Sequence, residues 1–114
     1  MECVFCSVVK NNTPHHVIVW EDDKHLAFLD SNPVTENHTL VIPKKHTADI
    51  LNLSKEEYGD LMVASREVAL KIKEEMKCHK ISILVEGLSV PHVHVHLVPL
   101  EQGQDLIKFI RQSK

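Results

Sequence analysis

The run Pro91-His92-Val93-His94-Val95-His96-Leu97-Val98-Pro99 places a histidine at every second position, with an aliphatic residue between each pair. A period of two is the pattern of a β-strand. It puts all three imidazoles on one face and Val93, Val95 and Leu97 on the other. Imidazole titrates near neutrality, ligates metals, and can act as an acid, a base or a nucleophile. Two chemical readings follow. Histidines two apart on a strand can ligate one zinc ion with help from elsewhere. Alternatively, the middle imidazole attacks phosphorus while its neighbours orient and protonate. A chemically idle row on the polar face of a strand is the third reading, and the strict alternation between two prolines argues against it.

A second group with chemical potential lies at the other end of the chain. Cys3 and Cys6 form a C-x-x-C pair, which suits metal or redox chemistry and is equally compatible with two small buried residues beside Val4 and Phe5. Zinc would need two further ligands. No thioredoxin-like βαβ pattern follows, so a redox role is disfavoured. Cys78 stands alone and reads as inert. His15, His16, His25 and His79 read as solvated turn residues, and His38 as one that packs or hydrogen-bonds locally.

These groups need elements to position them. Val17–Trp20 and His25–Asp30 read as a hairpin of two strands around a charged turn, Glu21–Lys24. His38–Pro43 is a third strand, closed by its proline. Ser54 and Glu57 have the spacing of a capping box, with Leu53 and Tyr58 placed as a hydrophobic staple. A helix then runs to about Lys77 with Tyr58, Leu61, Met62, Ser65, Val68, Ala69, Ile72 and Met76 on one face, and Glu67 to Lys71 is an i,i+4 pair on its charged side. Ile81–Val85 is a fourth strand, and the histidine run the fifth. Residues 104–112 form a short helix with Leu106, Ile107 and Ile110 facing inward. The order predicts an α+β domain: an antiparallel sheet of about five strands with one long helix and a short C-terminal one. One sheet edge or face is left for a homodimer to cover.

Composition bounds the rest. A chain of 114 residues with 43% hydrophobic and 25% charged residues is expected to form a single domain over 1–114. A net charge of −3 and no basic block give no field for nucleic acid. No segment is apolar enough to span a membrane, and the N-terminus lacks the pattern of a signal peptide. The three cysteines do not form a disulfide framework. A cytoplasmic protein is the expectation.

HVHVHLV resembles the motif His-φ-His-φ-His-φ-φ, with φ hydrophobic, that names the histidine triad (HIT) family of nucleotide hydrolases and transferases. Glu21-Asp22-Asp23, Ala27-Phe28-Leu29-Asp30 and His38–His46, which contains VIPKKH, are similar to that family's N-terminal half in the same order. The resemblance runs from about Cys3 to about Pro99 and points to the Hint-like branch of purine nucleoside phosphoramidases and related bacterial proteins.

The resemblance implies a HIT-like homodimer whose sheets join into one. It implies an enzyme, a nucleoside phosphoramidase or nucleotidyl hydrolase. Such an enzyme cleaves a P–N or P–O bond at the α-phosphate of a purine nucleotide through a nucleotidyl-histidine. His94 matches the nucleophile, His96 the support of the α-phosphate site, and Ser89 a hydroxyl that contacts the leaving group. Asp30 matches the carboxylate that accepts the ribose hydroxyls, with Ser31 beside it. Before the resemblance, Asp30 reads as a turn cap ahead of Ser-Asn-Pro. Val4, Phe5, Val8 and Leu29 match the apolar pocket for the purine. Cys3, Cys6, His46 and His92 match a structural zinc site of some bacterial members. No organic cofactor is implied.

The chain departs from the family where an asparagine and a Gly-Gln precede the triad. Val85 stands at the asparagine position, Leu88 replaces the glutamine, and the loop is shorter by about three residues. A nucleotide-binding or regulatory protein with weak or lost catalysis is therefore the alternative. A zinc-hydroxide hydrolase using the triad as ligands is a third reading.

Overall fold

The computed structural model describes residues 3–11, 16–86 and 90–112. Among them, five strands form one antiparallel sheet in the order β1-β2-β3-β5-β4, with β1 Ile18–Glu21, β2 His25–Leu29, β3 Thr39–Pro43, β4 Lys80–Val85 and β5 Val95–Leu100. The helices are α1 (Val4–Val9), α2 (Lys55–Met76) and α3 (Leu106–Gln112), with a 3-10 turn at Ile50–Asn52.

The sheet separates two cores, and the period of two assigns residues to them. Ala27, Val41, Val93, Val95 and Leu97 project to one side and pack on Leu61, Ala64, Val68 and Ile72 of α2. Leu26, Phe28, Leu40 and Ile42 project to the other and pack on Cys3, Phe5 and Val8 at α1. A sheet covered on both faces reads as near-continuous apolar runs, which is how β2 and β3 look in the sequence. The helix α1 has no clear signal there, because six residues are too few to show a helical period.

The long helix begins as its sequence predicts. Glu57 N–H donates to Ser54 Oγ at 3.1 Å, and Ser54 N–H donates to Glu57 Oε1 at 2.9 Å. It ends where Lys77 turns left-handed at φ 58°. On its surface Lys71 pairs with Glu75 at 2.8 Å, while Glu67 meets Arg66. The predicted Glu67–Lys71 pair is thus replaced by one a turn further on. Tyr58 is exposed, contrary to the predicted face, and Ala64, which that face did not include, is buried in the core. In α3 the half-buried residues are Leu106 and Phe109; Ile107 and Ile110 are exposed, contrary to the predicted inward face.

The histidine run is the main correction. Strand β5 starts at Val95, so only His96 lies within it. The ladder from β3 pairs Thr39 with Leu97, Leu40 with His96 and Val41 with Val95. It stops because β3 closes at Pro43, which has no N–H. The N–H of Val93 turns instead to the carbonyl of Thr47 at 2.7 Å. The alternation survives outside the strand all the same: Val93 and Val95 face α2, and the imidazoles face the other way. That face is buried too, with His92 and His94 only 0% and 2% exposed.

Candidate functional site

The three triad histidines occupy three different environments. At His92, Nε2–H donates to the Pro43 carbonyl at 2.7 Å. That bond fixes the tautomer and leaves the Nδ1 lone pair facing the other way. Nδ1 lies 3.5 Å from Cys3 Sγ, 3.5 Å from Cys6 Sγ and 3.3 Å from His46 Nδ1. Cys6 Sγ is 3.2 Å from His46 Nδ1. A tetrahedral zinc with Zn–N of about 2.0–2.1 Å and Zn–S of about 2.3 Å sets N···N near 3.4 Å and S···N near 3.6 Å. The four donors therefore have the spacing, chemistry and backbone-carbonyl support of a closed zinc site. Cys3 and Cys6 belong to the first turn of α1, so the cluster ties that helix to the segment after β3 and to the entry of β5.

At His94, Nδ1–H donates to the carbonyl of His92 at 2.7 Å. Nε2 is then the unprotonated nitrogen. The ring is held edge-on by Phe5, centroid to centroid 5.0 Å, and by His96 at 4.9 Å.

His96 is oriented from behind. The N–H of Val34 donates to His38 Nδ1 at 3.0 Å, which leaves the proton of neutral His38 on Nε2. That Nε2 lies 2.9 Å from His96 Nδ1 and 3.4 Å from Asp30 Oδ2. Donation from His38 to His96 Nδ1 puts the His96 proton on Nε2. Burial, then the neighbouring His94 and His38, push His96 down to about 4. Burial likewise lowers His38, against the pull of Asp30. Both rings are neutral at pH 7. The sequence predicts that His38 packs or hydrogen-bonds locally. It does bond locally, to Val34, and its other nitrogen reaches the triad. A histidine preceding a β-branched strand run gives no sign of this.

A cleft of about 410 Å³ opens over His94 and His96, lined also by Val4, Phe5, His16, Phe28, Asp30, Ser31, Asn32, Leu40 and Val90. Most of the predicted nucleotide-site residues meet here. Val8 is buried in the core beneath α1 and does not line the cleft. Leu29 lies on the opposite face of the sheet, where it lines a small cavity with Val68 and Ile72 of α2, since it alternates with Phe28. His16, read as a solvated turn residue, lines the cleft instead. His25, read likewise, is buried, with Nδ1 3.0 Å from Asp22 Oδ1. Asp30 does cap its turn, accepting the N–H of Asn32 at 2.9 Å through Oδ1, and still presents its carboxylate to the cleft. Leu88 and Ser89 lie outside the described residues. Val85 pairs with Val95, which puts its side chain on the α2 side, away from the imidazoles.

A larger depression of about 720 Å³ lies at the start of α2, beside Lys44, Lys45, Glu57 and Asp60. Its lysines 44 and 45 are already paired with Glu21 and Glu57. The triad imidazoles His94 and His96 line the other cleft, not this one.

Known proteins share this sequence pattern and fold. The HIT domain model matches residues 10–103. An uncharacterized HIT-like protein of Saccharolobus solfataricus is 36% identical over 112 residues, spanning 93% of this chain and 80% of that protein. The structure of a Zn-bound histidine triad family protein from Mycobacterium smegmatis superposes with a TM-score of 0.85 at 32% identity, covering 93% of this chain and 80% of the other. A hypothetical histidine triad nucleotide-binding protein from Sulfolobus tokodaii gives 0.84 at 34% identity, covering 90% and 71%.

Proposed function

Because this chain belongs to the HIT domain family, we propose that it is a nucleotidyl hydrolase. It acts on purine nucleoside 5′-phosphoramidates, or on related esters and anhydrides, through a covalent intermediate on His94. The observation that carries this reading is the 2.7 Å bond from His94 Nδ1–H to the His92 carbonyl, which leaves Nε2 as a neutral nucleophile facing the cleft. A neutral imidazole approaches a phosphate without the repulsion a carboxylate would meet.

In the first step the Nε2 lone pair forms a bond to the α-phosphorus as the P–N or P–O bond to the leaving group breaks. The leaving group departs with a proton from the water of the open cleft. Positive charge develops on the His94 ring and is stabilised by the carbonyl already bonded to Nδ1–H. His96 Nε2–H, held in place through His38, donates to a phosphoryl oxygen in both steps. Water then attacks the same phosphorus and releases to solvent a proton that balances the one taken by the leaving group, the P–Nε2 electron pair returns to the His94 ring as that bond breaks, and the nucleoside monophosphate is released. Asp30 is placed to accept the ribose hydroxyls, with Val4, Phe5, Phe28 and Leu40 around the base.

Cys3, Cys6, His46 and His92 would hold zinc, which would supply a structural cross-link. These four residues would thereby hold α1, and with it Val4 and Phe5, against the cleft. A homodimer is supported by the unpaired outer edge of β4, where Ile83 and Val85 are exposed.

The decisive experiment is single-turnover hydrolysis of an adenosine phosphoramidate by the parent and His94→Ala. The parent is expected to show an acid-labile nucleotidyl adduct on rapid quench, and the variant to lose at least about 10³-fold in rate while still binding AMP. Parent-like turnover by His94→Ala would end the covalent reading. A parent that binds AMP yet never turns over would leave a binding protein in its place.

A further inference from the structure

The cleft is also lined by His16, an imidazole to which the reaction proposed above assigns no part. Its position follows from the sheet. The floor of the cleft is a row of directly paired residues: His96 on β5 opposite Leu40 on β3, Leu40 opposite Phe28 on β2, and Phe28 opposite Ile18 on β1. Three inter-strand steps of ~4.8 Å carry this row roughly 14 Å, close to the reach of an extended nucleoside 5′-monophosphate. His96 stands at one end. Asp30 comes two residues after Phe28, on the same face and partway along. His16 stands at the other end, two residues before Ile18, with its ring edge-on to Phe28 at 5.3 Å and 88°.

We propose that His16 reads the 6-substituted edge of a purine base lying over Phe28. The proposal rests on the nucleotide reading above and adds the group that selects the base. The walls at that end are otherwise Val4, Phe5, Phe28 and Leu40, none of which has a side-chain hydrogen-bonding group. Ser31 and Asn32 also line the cleft, but they are exposed and follow Asp30 on the turn over the ribose position. A neutral imidazole carries one donor and one acceptor and exchanges them by tautomer. It therefore pairs with the 6-amino group of adenine or the 6-oxo group of guanine. His16 is half-buried, so a bond made there is partly sheltered from competing water. The expected specificity is tolerance between the two natural purines and discrimination against a base with hydrogen at position 6.

The test is direct calorimetric binding of AMP, GMP, purine riboside 5′-monophosphate and ribose 5-phosphate to the full chain, to His16→Phe and to His16→Ala. The parent is expected to bind AMP and GMP about 5- to 20-fold more tightly than the purine riboside monophosphate. His16→Phe keeps a ring against Phe28 and lacks both nitrogens. It is expected to bring all three nucleotides within about two-fold of one another and to leave ribose 5-phosphate unchanged. His16→Ala should lose the same discrimination and, in addition, affinity for all three bases. A parent with no preference for the 6-substituted purines overturns the assignment without any variant. A His16→Phe protein that keeps the parent's preference overturns it while the nucleotide reading stands. A parent that binds neither AMP nor ribose 5-phosphate removes both.

Discussion

Nδ1 of His94 lies 2.7 Å from the carbonyl oxygen of His92, so the residue whose ring meets Cys3, Cys6 and His46 also sets the tautomer of the proposed nucleophile through its backbone. The two sites are separate in chemistry and joined by one residue. Phe5 strengthens the link, because it sits between Cys3 and Cys6 on α1 and packs on the rings of both His94 and His92.

Loss of the metal should therefore reach the cleft. In Cys6→Ser the bound zinc, measured by mass spectrometry, is expected to fall from about one per chain to near zero, and Tm to drop by about 5–15 °C. KM for a nucleotide substrate should rise more than kcat falls, since what loosens is the wall carrying Val4 and Phe5. A parent protein purified with no zinc, and indifferent to added zinc in thermal melts, would count against the cluster as a metal site.

In the proposed mechanism His38 acts on the reaction through His96, 2.9 Å away. His38→Ala removes the donor that fixes His96 Nδ1 as an acceptor, and kcat is expected to fall about 10²-fold with KM changed little. ¹⁵N spectra of the parent should show His96 protonated on Nε2, and those of His38→Ala a mixture of tautomers. An unchanged tautomer and rate would mean that the 2.9 Å contact is packing alone.

The sign of the pH dependence follows from His96, which is pushed down to about 4 by burial and by His94 and His38. In the unfolded chain the same ring titrates near 6.5. Between these values the unfolded state binds a proton that the native state refuses. The contribution to stability is thus full above about pH 6.5 and lost as pH falls toward 4. His38, lowered mainly by its own burial, acts in the same direction. Urea titrations at pH 7 and 5 should show the parent losing on the order of 1–2 kcal/mol more than His96→Gln. Equal losses in the two proteins would contradict the assignment.

Asp30 serves the turn through Oδ1 and faces the cleft with the rest of its carboxylate. Asp30→Ala should collapse a preference for AMP over its 2′-deoxy analogue from about 10-fold or more to near unity, because a carboxylate lone pair no longer goes unpaired with the deoxy ligand. If the parent itself fails to distinguish the two sugars in competition binding, Asp30 has no ribose to hold.

Local chemistry was legible in the chain. The two-residue period put Val93, Val95 and Leu97 on one side and the histidines on the other, Ser54 and Glu57 announced the start of α2, and Pro43 announced the end of β3. These features depend on neighbours a few residues apart. The sites themselves depend on contacts across the chain, with Cys3 meeting His92 over 89 residues, Cys6 meeting His46 over 40, and His38 meeting His96 over 58. No period carries such information. Only packing decided that a two-sided core would bury His92 and His94, that Leu29 would face away from the cleft, and that His16 would face into it. The sequence determined which residues could do chemistry. The sheet's register, together with the short helix closing over it, decided which of them meet.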